Sequence, residues 1–437
     1  MNRRVLLQQL LAGAGVTAGL PGMLRGEEYL LAQPPRRKKQ ATKKLAILTT
    51  VYRYLSHSYH LGGRFLNGYW LNGKHHFPDF GVGSIYTEQR PENDLTKRIC
   101  EQFGVFDAPT IPSALKQAEK KLAVEGIMLI GEHGNYPVNK KGQILYPRFE
   151  YFQEILKIFH ETEQVVPVFV DKHLSYDRKR GFEMVAAARK MGFPLMAGSS
   201  LPVTYRRPEL ELELGTPMKE ALVVSRSGVE IYGIHALEAL QTMVERRFRG
   251  RAQQGVKSVQ YLAGPEVWKA GDAGLWSWKL LDAALKRSPS RNNGDPRENC
   301  QHFRPGKLGD TDVQSPRAFL LEYRDGLKAT VLQLDGHVSD ETFAATIAGK
   351  DEPISTLFFL PPPPGAAFLE ALGRKVEDFF NTGKPPYPVE RTMLTGGILD
   401  WVLDARLQKK KLDTPDLDIE YQAPADSGFI RGSYELP

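Results

Sequence analysis

Short apolar runs alternate with amphipathic stretches through the first half of the chain. Runs rich in Val, Ile and Leu predict buried strands, and apolar positions that recur every three to four residues predict helices. Strands are predicted at residues 44–48, 81–87, 126–130, 165–170 and 194–198, and helices at residues 93–103, 113–122, 148–163 and 178–191. Because strands and helices alternate, this half is predicted to form a parallel sheet of βαβ units.

The pattern changes beyond residue 205. Strands are predicted at residues 221–225, 255–263, 317–323, 328–334 and 354–360, helices at residues 236–247, 366–381 and 389–407, and a polar loop at residues 288–312. Asp325-Gly326 between two of these strands is typical of a hairpin turn. Strands in series indicate an antiparallel sheet, so the predicted fold is α/β: a parallel-sheet domain over residues 44–204 and an α+β domain with a mostly antiparallel sheet over residues 205–437.

The excess of positive charge lies before these two predicted domains. Residues 1–44 contain 9 of the 58 Lys and Arg residues and 2 of the 51 Asp and Glu residues, which accounts for the whole net charge of +7. The remainder is formally neutral and has no basic footprint, so we expect no nucleic-acid partner. Cys100 and Cys300 lie far apart in the sequence, so they neither require a disulfide nor form a metal motif.

The first 33 residues resemble a twin-arginine export signal. Arg3-Arg4 precede an apolar segment rich in Ala and Gly, which is too short to remain as a membrane span. A basic linker over residues 34–43 follows. We therefore expect the twin-arginine machinery to export the folded protein to the periplasm or another extracytoplasmic compartment. The alternative is an uncleaved N-terminal segment that tethers the protein to a membrane.

Groups that can carry protons or charge follow two neighbouring predicted strands. Asp171, Lys172 and His173 follow one strand, and Glu132 and His133 follow the strand before it. In open parallel sheets, ligands bind beyond the carboxyl ends of the strands. These residues are therefore candidates for a functional site, with a solvated strand-end lysine as the alternative for Lys172.

Histidines and carboxylates at converging strand ends could also bind a divalent metal. Four further histidines lie in the segment after the first strand: His57, His60, His75 and His76. Their spacing matches no specific metal motif, so loop histidines are the simpler interpretation and we predict no metal.

Several motifs, taken in order, resemble the Gfo/Idh/MocA family of glucose-fructose oxidoreductase and inositol dehydrogenase type. They are residues 85–105, Val170-Asp171-Lys172-His173-Leu174, Gly233-Ile234-His235-Ala236-Leu237-Glu238, and residues 376–407. The resemblance implies a Rossmann-like domain followed by an open, mostly antiparallel sheet. It also implies an NAD(P)-dependent oxidoreductase of sugars or polyols, and a homo-oligomer.

The resemblance also implies roles for individual residues. Lys172 would polarise or protonate the substrate oxygen, and His235 would accept the hydroxyl proton. The position at which the family commonly has an Asp is Ile231 in this sequence. Glu230 is the candidate substitute, although in a strand it would face the opposite side. His133 is a further acid–base candidate, and a structural histidine is the alternative for His235.

The predicted cofactor is NAD or NADP, although the glycine motif of the family is degenerate here. Its three glycine positions are Thr49, Val51 and Tyr54, whereas a helix N-terminus binds a pyrophosphate only where the backbone comes close. Glu88 is the candidate contact to a ribose hydroxyl, with a solvated loop charge as its alternative. Glu132 and Asp171 are also assigned to cofactor binding.

The leading hypothesis is an exported oxidoreductase that acts on a sugar, a polyol or a related carbohydrate by hydride transfer with NAD(P). Two alternatives use the same scaffold without a nucleotide. One is a non-redox carbohydrate-active enzyme, namely a lyase, an epimerase or a hydrolase. The other is a carbohydrate-binding protein without catalysis.

Overall fold

The structure, a computed structural model, describes residues 41–71, 74–117, 119–302, 315–361 and 369–434. The predicted export signal and residues 34–40 of the predicted linker lie outside the described residues. Two large sheets organise the described part, one in each half of the chain.

Six strands of the first half form a parallel sheet. The strands of this half are β1 Lys43–Thr49, β2 Tyr69–Leu71, β3 Lys74–His76, β4 Phe80–Thr87, β5 Phe106–Ala108, β6 Gly126–Ile130, β7 Val168–Asp171 and β8 Leu195–Gly198. The helices are α1 His57–Asn67, α2 Thr96–Phe103, α3 Ile111–Lys116, α4 Arg148–Thr162 and α5 Arg178–Met191. The sheet runs β5-β4-β1-β6-β7-β8 with every neighbouring pair parallel, while β2 and β3 form a separate two-stranded ribbon. This is the strand order of the doubly wound dinucleotide-binding fold, which confirms the predicted Rossmann-like sheet.

The central strands of this sheet are apolar because helices cover both faces. All residues of Leu45–Leu48, Ile127–Ile130 and Val168–Val170 are fully buried, as expected for parallel strands buried on two sides. β7 begins three residues later than predicted; Pro167 before it has no N–H to donate to a neighbouring strand. The short edge strand β5 was not predicted.

The second half forms an eight-stranded, mostly antiparallel sheet. The strands of this half are β9 Tyr205–Arg207, β10 Met218–Ser225, β11 Arg251–Gln253, β12 Val256–Ala263, β13 Arg317–Tyr323, β14 Lys328–Gln333, β15 Glu341–Ile347, β16 Ile354–Phe359, β17 Leu412–Asp413 and β18 Glu420–Gln422. Of these, β11 and β18 form a separate two-stranded ribbon. The helices are α6 Val229–Val244, α7 Pro265–Asp272, α8 Trp278–Leu285, α9 Pro296–Gln301, α10 Glu370–Thr382 and α11 Val389–Gln408. The sheet runs β17-β12-β13-β14-β10-β15-β16-β9, and only β10 and β14 pair in parallel. The predicted fold class is therefore confirmed, and the hairpin at Asp325-Gly326 joins β13 to β14 as predicted.

Helix α6 begins at Val229, seven residues before the predicted start. The prediction was wrong because three β-branched residues and Gly233 between residues 229 and 235 disfavour a helix locally. Tertiary packing overrides this preference: a Cβ atom on Gly233 would lie 2.9 Å from Leu399 Cδ1 of α11. As a consequence, Glu230 and His235 lie on one helix, not in a strand.

The residues between 265 and 301 form three short helices that were not predicted. α9 lies within the segment predicted as a polar loop, because Asp295 accepts a hydrogen bond from the Arg297 amide (2.7 Å) and Pro296 occupies the first helical position. Trp276 and Leu281, from the segment of α7 and α8, pack on one face of the second sheet. Helices α6 and α11 cover the other face, so both faces of this sheet have their own helices.

Helix α11 connects the two sheets. It packs against α6 and β12 of the second half and against α5 and β8 of the first half. Arg391 in its first turn donates to Glu245 (Nε to Oε2, 2.9 Å), and the Tyr421 hydroxyl donates to the same carboxylate (2.7 Å). Arg391 and Glu245 are both fully buried, so the position of α11 depends on a desolvated ion pair.

Replacing Arg391 with Met should lower the free energy of unfolding by roughly 3–5 kcal/mol, because Glu245 would keep a buried charge without its cation. The matched control is Arg189→Met, since Arg189 also pairs with a glutamate of α11 but is 58% exposed. That exposed pair should contribute about 0–1 kcal/mol. Urea unfolding at pH 7 measures both values, and equal losses in the two variants would contradict this account.

Candidate active site

The carboxyl ends of β1, β6 and β7 meet at one edge of the parallel sheet. β6 lies between β1 and β7, and the Thr50 hydroxyl donates to the Glu132 carbonyl (2.7 Å), which ties the first two strand ends together. Glu132, His133, Asp171 and Lys172 therefore lie side by side where ligands bind in such sheets. The structure brings together the residues that were predicted from the strand ends.

A buried cluster of charges occupies the centre of this edge. Glu132 Oε1 lies 3.1 Å from Lys172 Nζ and 2.7 Å from Arg148 Nη2. Lys172 is only 4% exposed, which rules out a solvated strand-end lysine. Burial alone would raise the pKa of Glu132, but the charges of Lys172 and Arg148 hold it well below its usual range. Glu132 is thus an anion that fixes two cations.

The backbone at this edge is strained. Lys172 and His133 have φ angles of 57° and 66°, in the left-handed region that non-glycine residues rarely adopt. Each such residue costs roughly 1–3 kcal/mol and persists only where its surroundings impose it. A Cβ atom on Gly131 would lie 2.5 Å from Arg148 Cγ, so this glycine makes room for the arginine. Residues held in this way commonly have a functional reason.

His57 joins the cluster from the start of α1. Its Nδ1 lies 2.6 Å from Asp171 Oδ2, and its ring contacts that of His133 edge-on, with centroids 5.4 Å apart. Burial, and then the neighbouring His57, lower the pKa of His133 to about 4. From the sequence, His57 was interpreted only as a loop or metal histidine. Its position at the helix start directly after β1 was the available signal.

Helix α6 brings Glu230 and His235 to the same cluster. Burial and the charge of Glu132 raise the pKa of Glu230 to about 7, although Lys172 and Arg148 oppose this. Burial, and then Lys172 and His57, hold the pKa of His235 well below its usual value, so its imidazole is neutral. The expectation that Glu230 would face away was wrong, because it rested on a strand and the residue lies in a helix.

Several buried polar atoms in this cluster have no hydrogen-bond partner within the described ranges. They are Asp171 Oδ1, His133 Nε2, His173 Nδ1 and His235 Nδ1. Buried polar atoms are normally hydrogen-bonded, so such a set is suited to a ligand with several hydroxyl groups. Nowhere in the described residues do three or more His, Cys, Asp or Glu side chains form a group that could hold a metal ion.

The last residue of β1 and the turn after it contain the three residues at the glycine positions of the family. The Thr49 hydroxyl is directed at the Ile130 carbonyl (3.0 Å), Val51 is buried, and Tyr54 is 38% exposed. Ser56 caps α1 by accepting from the Tyr59 amide (3.2 Å). The Ser56 side chain therefore already occupies the N-terminus of α1, where a pyrophosphate binds in domains with a glycine-rich turn.

Two contacts span the sheet edge beside this turn. The Tyr136 hydroxyl donates to Glu88, and Gln89 and Asn135 exchange two hydrogen bonds of 3.1 and 2.8 Å. They join the end of β4 to the segment after β6, across the end of β1 that lies between them. Glu88 therefore has a protein partner, and this region does not fit a dinucleotide held in the pose that a glycine-rich turn provides.

Comparison with known proteins yields a fold but no sequence relative. No protein-family model matches the chain, and no curated protein matches its sequence. The structure is similar to GenD2 from gentamicin A biosynthesis in complex with NAD, with 12% identity, a TM-score of 0.53 and coverage of 87% of this chain and 99% of GenD2. It is also similar to the myo-inositol dehydrogenase of Lactobacillus casei in complex with NAD(H) and myo-inositol, with 10% identity, a TM-score of 0.50 and coverage of 85% and 96%.

A third similar structure is a super-repressor mutant of Gal80p from Saccharomyces cerevisiae, with 8% identity, a TM-score of 0.50 and coverage of 86% of this chain and 100% of that one. The described chain thus has the two-domain fold of Gfo/Idh/MocA-type dehydrogenases, as the sequence motifs indicated. Because a protein named as a repressor has the same fold, the fold alone does not assign an activity.

His133 should make the protein sensitive to acid. Its pKa in the folded state is about 4, below the value of about 6.5 in an unfolded chain. As the pH falls from about 6.5 towards 4, the unfolded state binds this proton first, so stability is lost across that window.

His133→Asn should therefore reduce the stability lost between pH 7 and pH 4.5 by about 2–3 kcal/mol. Asn is chosen because it tolerates the left-handed backbone. His160→Asn, at an exposed position on α4, is the matched control and should keep the wild-type pH dependence. Urea unfolding at the two pH values measures the effect, and parallel curves for wild type and His133→Asn would refute it.

Proposed function

We propose that the protein is an enzyme of oxidoreductase type that acts on a sugar, a polyol or a related carbohydrate, with NAD or NADP as its cofactor. The observation that carries this proposal is the buried cluster of Lys172, Glu132 and Arg148 at the ligand-binding edge of a Rossmann-order sheet. The fold supports the redox class, since two similar structures are complexes with NAD or NAD(H).

Lys172 is suited to hold the reacting oxygen of the substrate. Its ammonium group lies 3.1 Å from Glu132 Oε1, and Arg148 contacts the same oxygen at 2.7 Å. A preorganised cation in a site with little water stabilises negative charge that develops on oxygen. The strained backbone of Lys172 keeps the group at the end of β7, so little reorganisation is needed when the substrate binds.

Glu230 is suited to move the proton of a substrate hydroxyl. A general acid or base works best when its pKa is close to the operating pH, and that of Glu230 is raised to about 7. His235 on the same helix is neutral, so it can accept a hydrogen bond from a second hydroxyl. Lys172 would hold the oxygen while Glu230 takes its proton.

A non-redox carbohydrate-active enzyme is the second candidate, and the contacts beside β1 favour it. Tyr136 with Glu88, and Gln89 with Asn135, occupy the edge over which a dinucleotide would extend. A lyase, an epimerase or a hydrolase would need only the charged cluster. A carbohydrate-binding protein without catalysis is the third candidate, because a protein named as a repressor has the same fold.

Export is proposed from the N-terminal sequence alone. Arg3-Arg4 and the short apolar segment after them support recognition by the twin-arginine machinery, and thus a periplasmic or other extracytoplasmic location. Within the described residues no helix is long and apolar enough to cross a membrane. Association into a homo-oligomer is likewise a proposal from the family resemblance.

Full-length protein is purified without added cofactor and then denatured. Mass spectrometry should detect stoichiometric NAD(H) or NADP(H) released from it. Alternatively, calorimetry should show that the protein binds one of these nucleotides at micromolar concentration. Tyr136→Phe frees Glu88 to bind a ribose hydroxyl, so it should tighten this binding if the nucleotide lies over β1. If no nucleotide is retained and no heat is observed up to millimolar concentration, the redox proposal fails and the non-redox candidate replaces it.

Glu230→Gln should remove the proton acceptor. In assays with myo-inositol and a panel of sugars, kcat/KM of the wild type should rise with pH through about 7, as Glu230 loses its proton. In the variant, kcat/KM should no longer rise with pH through this range, and it should be about 10²–10⁴-fold lower than in the wild type. Glu150→Gln, on the exposed side of α4, is the control, and persistence of the rise in Glu230→Gln would exclude Glu230 as the base.

A further inference from the structure

The first residue of α1 is a histidine bound to a buried carboxylate. His57 Nδ1 lies 2.6 Å from Asp171 Oδ2; the Asp171 side chain is 1% exposed and that of His57 is 16% exposed. Asp171 ends β7, so this bond passes over the end of β6, which separates β7 from β1. In a glycine-turn Rossmann domain the same helix end faces a phosphate; here it holds a basic side chain at the ligand-binding edge.

This pairing fixes the tautomer of His57. A carboxylate only accepts hydrogen bonds, so Nδ1 carries a hydrogen, and in the neutral form of the ring Nε2 keeps the lone pair. Among the described residues, Nε2 has no hydrogen-bond partner. A histidine ring that a buried carboxylate orients through Nδ1 is the arrangement by which general bases are positioned in unrelated enzymes.

The dyad and the charged cluster share their elements. Asp171 directly precedes Lys172, and His133, which contacts His57, directly follows Glu132. One molecule bound at this edge can therefore contact the Lys172 ammonium group, which can stabilise an oxyanion, and the His57 ring, which can accept a proton. This combination suits the removal of a proton from a carbon next to a carbonyl group.

We propose that His57 is a catalytic general base, positioned by Asp171, which removes the proton next to the carbonyl of an α-hydroxy ketone or aldehyde held by Lys172. The C–H bond breaks and its proton passes to Nε2 of His57. Its electron pair forms a double bond to the carbonyl carbon, and the π pair of the C=O bond moves onto the carbonyl oxygen. The resulting enediolate is stabilised by the Lys172 ammonium group. Return of the proton regenerates the substrate, its epimer or its aldose–ketose isomer.

This step balances without an oxidant, a reductant or a nucleotide. It rests on the proposed carbohydrate site, since it uses Lys172 in the same role, but it does not depend on NAD or NADP. A ketose formed by oxidation at this site would be one substrate for it. The two activities can therefore be separated by experiment.

The test is hydrogen exchange by full-length protein in D₂O, without nucleotide. Dihydroxyacetone, D-fructose and 2-keto-myo-inositol are the probes, and loss of the proton signal next to the carbonyl is followed by NMR. The wild type should exchange this proton faster than the probe alone, and His57→Gln should lower the rate by about 10²–10⁴-fold. Lys172→Met should do the same, whereas His160→Gln, on the exposed end of α4, should not change it.

Asp171→Asn separates positioning from a structural role. An Asn amide can donate to Nδ1 and so favours the tautomer with its hydrogen on Nε2, which cannot act as a base. ¹⁵N NMR of the histidine rings should show this change of tautomer at His57 together with a loss of exchange of at least about tenfold. Thermal unfolding of each variant shows whether it is folded.

Absence of exchange by the wild type with all three probes would overturn the inference, as would a folded His57→Gln variant with the wild-type rate. Oxidation of an alcohol with NAD(P), observed without exchange, would leave the proposed redox function intact and reject this step alone. Exchange without any nucleotide binding would support the step and reject the redox function.

Discussion

Burial of the Glu132 carboxylate is the constraint on which the ligand-binding edge depends. A carboxylate removed from water requires compensation by charge, and removal of one partner from such a group is strongly destabilising. The two cations come from different elements, Arg148 from the first turn of α4 and Lys172 from the end of β7. The cluster therefore sets the position of α4 relative to β6 and β7, and it tolerates a left-handed backbone at Lys172 because the ion pair needs the ammonium group at that point.

The same edge is divided into two regions with different properties. Over β1 and β4, the Tyr136 hydroxyl donates to Glu88, and the Gln89 side chain bonds to the backbone amide and carbonyl of Asn135. Over β6 and β7, buried groups are charged or lack partners within the described chain, as for Asp171 Oδ1. The first region gains stability from bonds that are already made, whereas the second retains polar atoms that only a ligand or water can satisfy. The chemistry is thus concentrated on one side of a sheet edge whose other side is closed by its own contacts.

Local sequence patterns predicted the sheets well because parallel strands buried on two faces must be almost continuously apolar, as in Leu45–Leu48. The strand-end residues Glu132, Asp171 and Lys172 followed from the same pattern, since Glu132 and Asp171 are the first polar residues after such runs and Lys172 comes directly after Asp171. The start of α6 was missed because the helix tolerates Gly233 only through its packing against α11. The pairing of His57 with Asp171 was out of reach, because 114 residues separate the two and neither has a local motif.

The fold shows where a ligand binds in this protein, whereas the side chains of the site indicate what chemistry they can perform. A sheet with this strand order provides an edge where ligands bind, and the same fold occurs in NAD complexes of dehydrogenases and in a protein named as a repressor. A protein that only binds a ligand has no need of strained backbone at two adjacent strand ends, or of a base held by a buried carboxylate. Lys172 and His133 carry that strain here, and His57 is held by Asp171. Because stability is lost to keep these side chains in place, the arrangement is better explained by catalysis than by binding alone.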